Sequence, residues 1–175
     1  MYKSIEEVLK TLQDGNDRFV KDKEKNYNFI KTRKRLIKNQ NPFAIILGCS
    51  DSRVSPELIF DCNLGDLFII QIAGNIVNED ILESIQYAIN EFSCSTIIIL
   101  GHENCGAIQM TLDGINNDIT QKIKRIVNKE LNIDDIINKN IQQSVEEVKE
   151  YIKSSKDITI KGAKYFLKTG EVKFL

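Results

Sequence analysis

Residues 43–53 read FAIILGCSDSR, and residues 96–107 read TIIILGHENCGA. Each segment is a short apolar run, rich in isoleucine, that ends in glycine and is followed at once by polar residues and cysteine. A run that is apolar at consecutive positions is typical of a strand covered on both faces of a parallel sheet. The two segments therefore predict two buried strands, each followed by a cluster of reactive side chains.

A third apolar run, residues 67–72, lies between these two segments. A helical pattern separates it from the run at 96–100, with five apolar residues on one face at 3.6-residue spacing. These are Ile81, Ile85, Ala88, Ile89 and Phe92. Strand, helix and strand in this order favour parallel strands joined by a crossover. The prediction is an α/β protein whose mostly parallel central β-sheet is flanked by helices.

Bulk composition favours a single domain, residues 1–175, with 42% hydrophobic residues. Lys and Arg number 24 against 25 for Asp and Glu, which disfavours nucleic acid and anionic membranes as partners. No apolar run approaches the roughly 20 residues that a membrane span needs. Glu6 and Glu7 are unlike the start of a signal peptide, so we expect a cytoplasmic protein.

Residues 1–40 are predicted to form an N-terminal helical arm. Ser4 and Glu7 can form a capping box that starts an amphipathic helix, and Gly15 interrupts or ends this helix. Residues 21–38 are rich in Lys and Arg. Because the rest of the chain balances this charge, we interpret the segment as a solvated helical face rather than a nucleic-acid site.

The C-terminal part continues the α/β pattern. An apolar stripe within residues 137–152 predicts a long covering helix. Two short apolar stretches, 158–160 and 164–167, predict strands. Residues 169–170 (TG) form a plausible tight turn into residues 172–175, so we expect a terminal hairpin at the sheet edge.

Two thiols and one imidazole follow the ends of the two quoted strands, on Cys49, His102 and Cys105. The carboxyl ends of parallel strands meet at one edge, where open α/β sheets bind ligands. Cys, His and Cys suit tetrahedral zinc and leave a fourth position open, as in a catalytic site. A closed site would need a fourth ligand, but His102 is the single histidine, and we interpret Cys62 and Cys94 as buried thiols.

Other roles remain open at this point. A His-x-x-Cys pair can arise by chance, and Cys49 could instead be a thiolate nucleophile activated by a helix N-terminus. The conjunction of two clusters favours the metal site. Each cluster follows a strand and a glycine, and Asp51 and Arg53 stand two and four residues after the first thiol.

Residues 49–54 (CSDSRV) and 101–107 (GHENCGA) together resemble the paired signature of the β-class carbonic anhydrases, in a plant-like subgroup with bacterial members. Residues 15–19 (GNDRF) and 73–75 (AGN) extend the likeness. One departure is residues 71–72, Gln-Ile, where the family often has Arg-Asn.

The resemblance implies a function and a cofactor. The function is the reversible hydration of carbon dioxide to bicarbonate and a proton through a zinc-bound hydroxide. It implies that Cys49, His102 and Cys105 bind one zinc ion per chain, with Asp51 and Arg53 as a catalytic dyad beside it. The same site could instead hydrolyse carbonyl sulfide or carbon disulfide, or belong to a zinc-binding relative without turnover.

The resemblance also implies a substrate pocket and an assembly. Gln40, Phe68, Tyr87 and Gly106 match family positions that line the pocket for carbon dioxide and bicarbonate. In the family this pocket lies at a dimer interface. We therefore expect a homodimer or a higher homo-oligomer, with the N-terminal arm wrapped around the partner.

Overall fold

The computed structural model describes residues 4–128, 131–152 and 158–175. The strands in these residues are β1 (Ala44–Gly48), β2 (Leu67–Gln71), β3 (Thr96–His102), β4 (Thr159–Tyr165) and β5 (Val172–Phe174). The helices are α1 (Ile5–Val20), α2 (Phe29–Arg35), α3 (Pro56–Ile59), α4 (Glu79–Phe92), α5 (Gly106–Leu112), α6 (Asp118–Lys124) and α7 (Ile133–Tyr151), with a 3-10 turn at Ala73–Asn75. None of these helices has the length and apolar character of a membrane span.

The described strands form one sheet in the order β2-β1-β3-β4-β5. The first four strands are parallel, and β5 pairs with β4 in the antiparallel direction. The register places Gly48 beside Leu100, so β1 and β3 end at the same edge. The mostly parallel α/β sheet and the C-terminal edge hairpin are thus confirmed.

Helices cover both faces of the sheet. Successive side chains of a strand point to opposite faces, so Ile45 and Ile97 enter one apolar layer, packed against α4 to α7. Ile46 and Ile98 enter the other layer, which α1 and α3 cover. Burial on both faces explains why β1 and β3 are apolar at consecutive positions.

We expected two separate strands at residues 158–160 and 164–167. The structure instead has one strand, β4, which includes parts of both segments. Packing against α7 explains the glycine at position 162 in this strand. A Cβ on Gly162 would lie 2.6 Å from Cγ2 of Ile141 in α7, so only glycine lets this helix approach the strand. Lys164 continues the strand as a buried residue, and its ammonium group lies 2.7 Å from Asp134 Oδ2.

The first helix begins as predicted, with the capping box of Ser4 and Glu7. However, the prediction that Gly15 interrupts or ends this helix is wrong, because α1 continues to Val20. A Cβ on Gly15 would lie 1.9 Å from the carbonyl oxygen of Phe60. Glycine is therefore needed at this position for the contact between α1 and the end of α3.

The residues after Gly15 fix α1 to the rest of the chain. The buried Asn16 amide donates to the carbonyls of Ile59 (3.1 Å) and Gly170 (2.8 Å), and its oxygen accepts from the Val172 amide (2.8 Å). Arg18 forms an ion pair with the buried carboxylate of Asp61. These contacts join α1 to both α3 and the terminal hairpin.

Substituting Gly15→Ala is expected to destabilise the fold, although alanine has the higher helix propensity. The methyl group would overlap the Phe60 carbonyl, and such overpacking typically costs about 1–3 kcal/mol. Urea denaturation followed by circular dichroism measures the change. Asp14→Ala, which removes an exposed ion pair with Lys10, is the control and should cost less than about 0.5 kcal/mol. A Gly15→Ala protein as stable as the wild type would contradict the packing argument.

Candidate metal centre

Three potential metal ligands converge at the carboxyl edge of the sheet. Cys49 follows β1, His102 ends β3, and Cys105 is the N-cap residue of α5. All three residues are buried, and their ligand atoms lie within 4.8 Å of one another. The two sulfur atoms are 4.0 Å apart. The parallel pairing of β1 and β3 therefore brings together the residues that the sequence predicted as ligands.

The ring of His102 is oriented for ligation. Its Nδ1 lies 2.7 Å from the carbonyl oxygen of Glu103, which makes Nδ1 the protonated nitrogen and donor. The Nε2 atom is buried and has no hydrogen-bond partner among the described residues. An unpaired buried nitrogen beside two thiols has the arrangement of a metal ligand whose tautomer is fixed by its second nitrogen.

The thiol of Cys49 is set up to ionise. Cys105 Sγ lies beside it, His102 is next to it, and the Gly74 amide donates to its sulfur at 3.2 Å. The contact with Cys105, followed by the nearby His102 ring and the Gly74 amide, lowers the pKa of Cys49 to about 4 against the opposing effect of burial. The same contact with Cys49 raises the pKa of Cys105. These contacts favour the thiolate of Cys49, which is the form that binds metal.

These dimensions fit zinc. Tetrahedral zinc with bonds of about 2.3 Å to sulfur holds two thiolates roughly 3.8 Å apart, close to the 4.0 Å found here. Two sulfurs and one imidazole nitrogen are also ligands that zinc prefers. Within the described part of the chain, this group includes no carboxylate. Three protein ligands leave one tetrahedral corner open.

Asp51 and Arg53 form a bidentate ion pair beside the cluster. Arg53 Nε and Nη2 donate to the two carboxylate oxygens at 2.9 and 2.7 Å, and its backbone amide donates to Oδ1 at 3.0 Å. The guanidinium group holds the pKa of Asp51 well below its usual range. Asp51 Oδ2 lies 4.0 Å from His102 Nε2, so an ionised carboxylate faces the ligand cluster.

Gly106, expected in the substrate pocket, lies next to the cluster. It is the first residue of α5 and is exposed. A Cβ built on it would have no neighbour within 4 Å, so there is open space above its backbone.

The structure does not bring the other three predicted pocket residues to the cluster of the same chain. Phe68 pairs with Ile45 near the start of β1, about 13 Å before Cys49 at roughly 3.3 Å per residue. Tyr87 packs on Phe68 with ring centroids 6.2 Å apart. Gln40 precedes β1 altogether and is exposed. These residues lie toward the opposite edge of the sheet.

The two remaining cysteines are buried thiols, as predicted. Cys62 and Cys94 are both buried and free of disulfide bonds. Cys94 Sγ lies 3.1 Å from the carbonyl oxygen of Pro42, and burial raises the pKa of Cys94 to about 11. A neutral thiol of this kind is a packing residue and neither a ligand nor a nucleophile.

Sequence reasoning missed two residues at this edge. Gly74, within the motif at 73–75, adopts a φ of 71° and points its amide at Cys49. The motif was visible, but its contact with sulfur depends on the fold. Gln71, noted only as a departure from the family pattern, donates to the carbonyls of Cys49 and Val54 at 3.0 and 3.1 Å.

Comparisons with known proteins agree with this site. A family model described as carbonic anhydrase matches residues 44–172. Carbonic anhydrase 2 of Mycobacterium tuberculosis is 40% identical over 109 residues, which are 62% of this chain and 53% of that protein. Carbonic anhydrase of Mycolicibacterium smegmatis is 40% identical over 108 residues, 61% of this chain and 52% of that protein. The chain thus aligns with about half the length of these curated relatives.

Solved structures show the same fold. The β-carbonic anhydrase CcaA matches with a TM-score of 0.73 and 24% identity, covering 97% of this chain and 86% of that one. A Coccomyxa β-carbonic anhydrase, solved in complex with acetazolamide, matches with a TM-score of 0.72 and 22% identity over 96% of this chain and 84% of that one. Since the family model covers more than half of the chain and includes all three clustered ligands, the chain belongs to the β-carbonic anhydrase family.

Proposed function

We propose that this protein is a zinc-dependent carbonic anhydrase, a lyase that interconverts carbon dioxide with bicarbonate and a proton. The observation that carries the proposal is the cluster of Cys49, His102 and Cys105, in which His102 Nε2 is buried without a partner and faces the carboxylate of Asp51. The names of the relatives support the same activity. No observation favours a sulfur-containing substrate or a non-catalytic role.

In this proposal, Cys49, His102 and Cys105 hold one zinc ion per chain. Zinc bound there would supply a Lewis acid that makes water acidic enough to attack carbon dioxide near neutral pH. Asp51 accepts a hydrogen bond from the attacking water and orients its lone pair. Arg53 keeps Asp51 ionised and holds its carboxylate away from the ligand atoms through the bidentate contact.

We also propose that the working protein is a homodimer or a higher homo-oligomer with a substrate pocket shared between copies. Gly106 lies beside the metal ligands, whereas Gln40, Phe68 and Tyr87 lie toward the opposite edge of the same chain. If these three residues line the substrate pocket, a second copy of the chain must bring them to the metal ligands of the first. Tyr87 is 55% exposed, as expected for an aromatic residue that a partner covers.

The proposed organisation is one domain, residues 1–175, with residues 1–40 as an arm that contacts the partner. The described part of α1 packs on the chain's own apolar layer through Val8 and Leu12. Among the described residues of the arm, the most exposed apolar side chains lie in and after α2, such as Phe29, Ile30 and Ile37. We infer a cytoplasmic location, since the four cysteines form no disulfide bond with one another.

Purified protein is expected to contain about one zinc ion per chain, measured by atomic emission. Cys105→Ser should reduce the zinc content at least tenfold, because a hydroxyl group replaces a thiolate ligand. Cys62→Ser is the matched control and should retain the metal, since this buried thiol lies outside the cluster. Full zinc occupancy in Cys105→Ser would contradict the ligand assignment.

Asp51→Asn should lower kcat for carbon dioxide hydration by about 100-fold or more, since a neutral amide is a weaker hydrogen-bond acceptor for the attacking water and cannot form the bidentate ion pair with Arg53. Stopped-flow hydration and zinc analysis on the same samples separate a catalytic loss from a metal loss. The exposed Asp14→Asn serves as control. A zinc-loaded wild type without hydration activity would refute the proposed reaction.

Complementation between two defective chains tests the shared pocket. A dimer of one His102→Ala chain and one Gln40→Ala chain should keep one intact site, because the ligands of the second chain meet Gln40 of the first. A dimer of the double variant with a wild-type chain should keep none. Differently tagged chains, purified as heterodimers, are assayed by stopped-flow hydration. Equal activity of the two heterodimers would contradict a pocket built from both chains.

A further inference from the structure

The ion pair of Asp51 and Arg53 stands on a short loop between β1 and α3, residues 49–55. The pair is only partly shielded, since the Arg53 side chain is 52% exposed and that of Asp51 is 17% exposed. The bidentate contact fixes the two side chains relative to each other, but both residues stand on the same loop, so the contact does not by itself fix their direction relative to the ligand cluster. The direction of the Asp51 carboxylate therefore depends on what fixes the loop backbone.

Gln71 bridges the two ends of this loop. It is the last residue of β2 and lies beside Gly48 in the parallel register. Its Nε2 donates to the carbonyl of Cys49 at 3.0 Å and to the carbonyl of Val54 at 3.1 Å. A carboxamide nitrogen has two N–H donors, so both are used. Because both partners are carbonyl oxygens, the contact requires a donor at this position.

Backbone contacts also shape the loop, and the Ser50 amide donates to the carbonyl of Ile72 at 3.3 Å. The Val54 amide donates to the carbonyl of Asp51 at 2.9 Å and closes a turn around the ion pair. This turn runs from Asp51 to Val54. Gln71 bonds the carbonyl of Val54, at the end of the turn, and that of Cys49, two residues before its start. Outside the loop, Arg53 Nη2 donates to the carbonyl of Asn104 at 3.3 Å.

The sulfur of Cys49 has independent support. Cys49 directly follows β1, which pairs with β2 and β3 on either side. The Gly74 amide also donates to Cys49 Sγ. Loss of the Gln71 contacts would therefore release the part of the loop beyond Cys49 more than the ligand itself.

We propose that Gln71 is a positioning residue that clamps the loop through the carbonyls of Cys49 and Val54 and so directs Asp51 and Arg53 toward the reaction site. Its catalytic consequence rests on the proposed carbonic anhydrase function. The clamp itself is a property of the folded chain and can be measured without turnover.

The test uses Gln71→Met, which keeps the length but removes both donors, and Gln71→Glu, which sets a carboxylate against two carbonyl oxygens. We expect kcat for hydration to fall about tenfold in Gln71→Met and further in Gln71→Glu, with KM within about twofold of the wild type. Small displacements of a catalytic group are sufficient for losses of this size. Zinc content should remain near that of the wild type.

The second readout is the Arg53 Nε–H signal in 1H–15N NMR of the zinc-loaded protein. This proton is held by Asp51 Oδ1 at 2.9 Å, so its exchange with water should be at least fivefold faster in both variants. Gln143→Met is the matched control. It removes an exposed amide on α7 that bonds Glu147, and it should leave kcat, zinc content and the Arg53 signal unchanged.

Two results would overturn the proposal: unchanged kcat and unchanged Arg53 exchange in both Gln71 variants, or loss of zinc from them, which would make Gln71 a support of the ligand. A wild type that binds zinc without hydrating carbon dioxide would refute the proposed function alone. In that case faster Arg53 exchange in the variants would still support the clamp, and unchanged exchange would reject it.

Discussion

The parallel pairing of β1 with β3 sets Gly48 beside Leu100, and this register determines which side chains meet at the edge of the sheet. A slip by one residue would exchange the faces of all side chains on a strand and turn His102 away from Cys49. The register is fixed because both faces are buried in separate apolar layers, with Ile45 on one side and Ile46 on the other. The positions of Cys49 and His102 thus depend on the packing of apolar side chains on β1 and β3.

Burial encloses one potential ligand atom of the cluster without a hydrogen-bond partner among the described residues. Most buried polar groups of folded proteins find partners, because an unpaired one costs free energy. Asn16 shows the usual outcome, with three hydrogen bonds to backbone groups. His102 Nε2 differs, since it is enclosed beside two sulfur atoms without a partner among the described residues. Other buried polar atoms also lack partners, such as Thr96 Oγ1, but none belongs to a cluster of ligand atoms.

The sequence predicted those parts of the structure that follow from local pattern. Consecutive apolar residues predicted the parallel strands, and the position of Cys49, His102 and Cys105 after strand ends predicted that they would converge. It could not predict contacts between distant segments. The low helix propensity of glycine predicted that Gly15 would break the helix. The structure shows that a glycine is needed there because the carbonyl of Phe60, far away in the sequence, packs against it. Gln71 was noted only as a departure, because its two acceptors become neighbours only when β2 pairs with β1.

The two edges of the sheet carry different halves of the proposed pocket. The carboxyl edge has the ligands, the ion pair and the open space above Gly106, whereas the aromatic rings of Phe68 and Tyr87 lie toward the amino edge. Carbon dioxide is small and apolar, so a site for it needs an apolar wall as well as a nucleophile. A single chain cannot fold one edge of its sheet onto the other, because a strand is a stiff, extended element. A second copy can place its amino edge against the first chain's carboxyl edge, and a two-fold axis then completes both sites at once. The distribution of these residues on the sheet is thus the physical basis of the proposed dimer, and under this proposal catalysis depends on assembly.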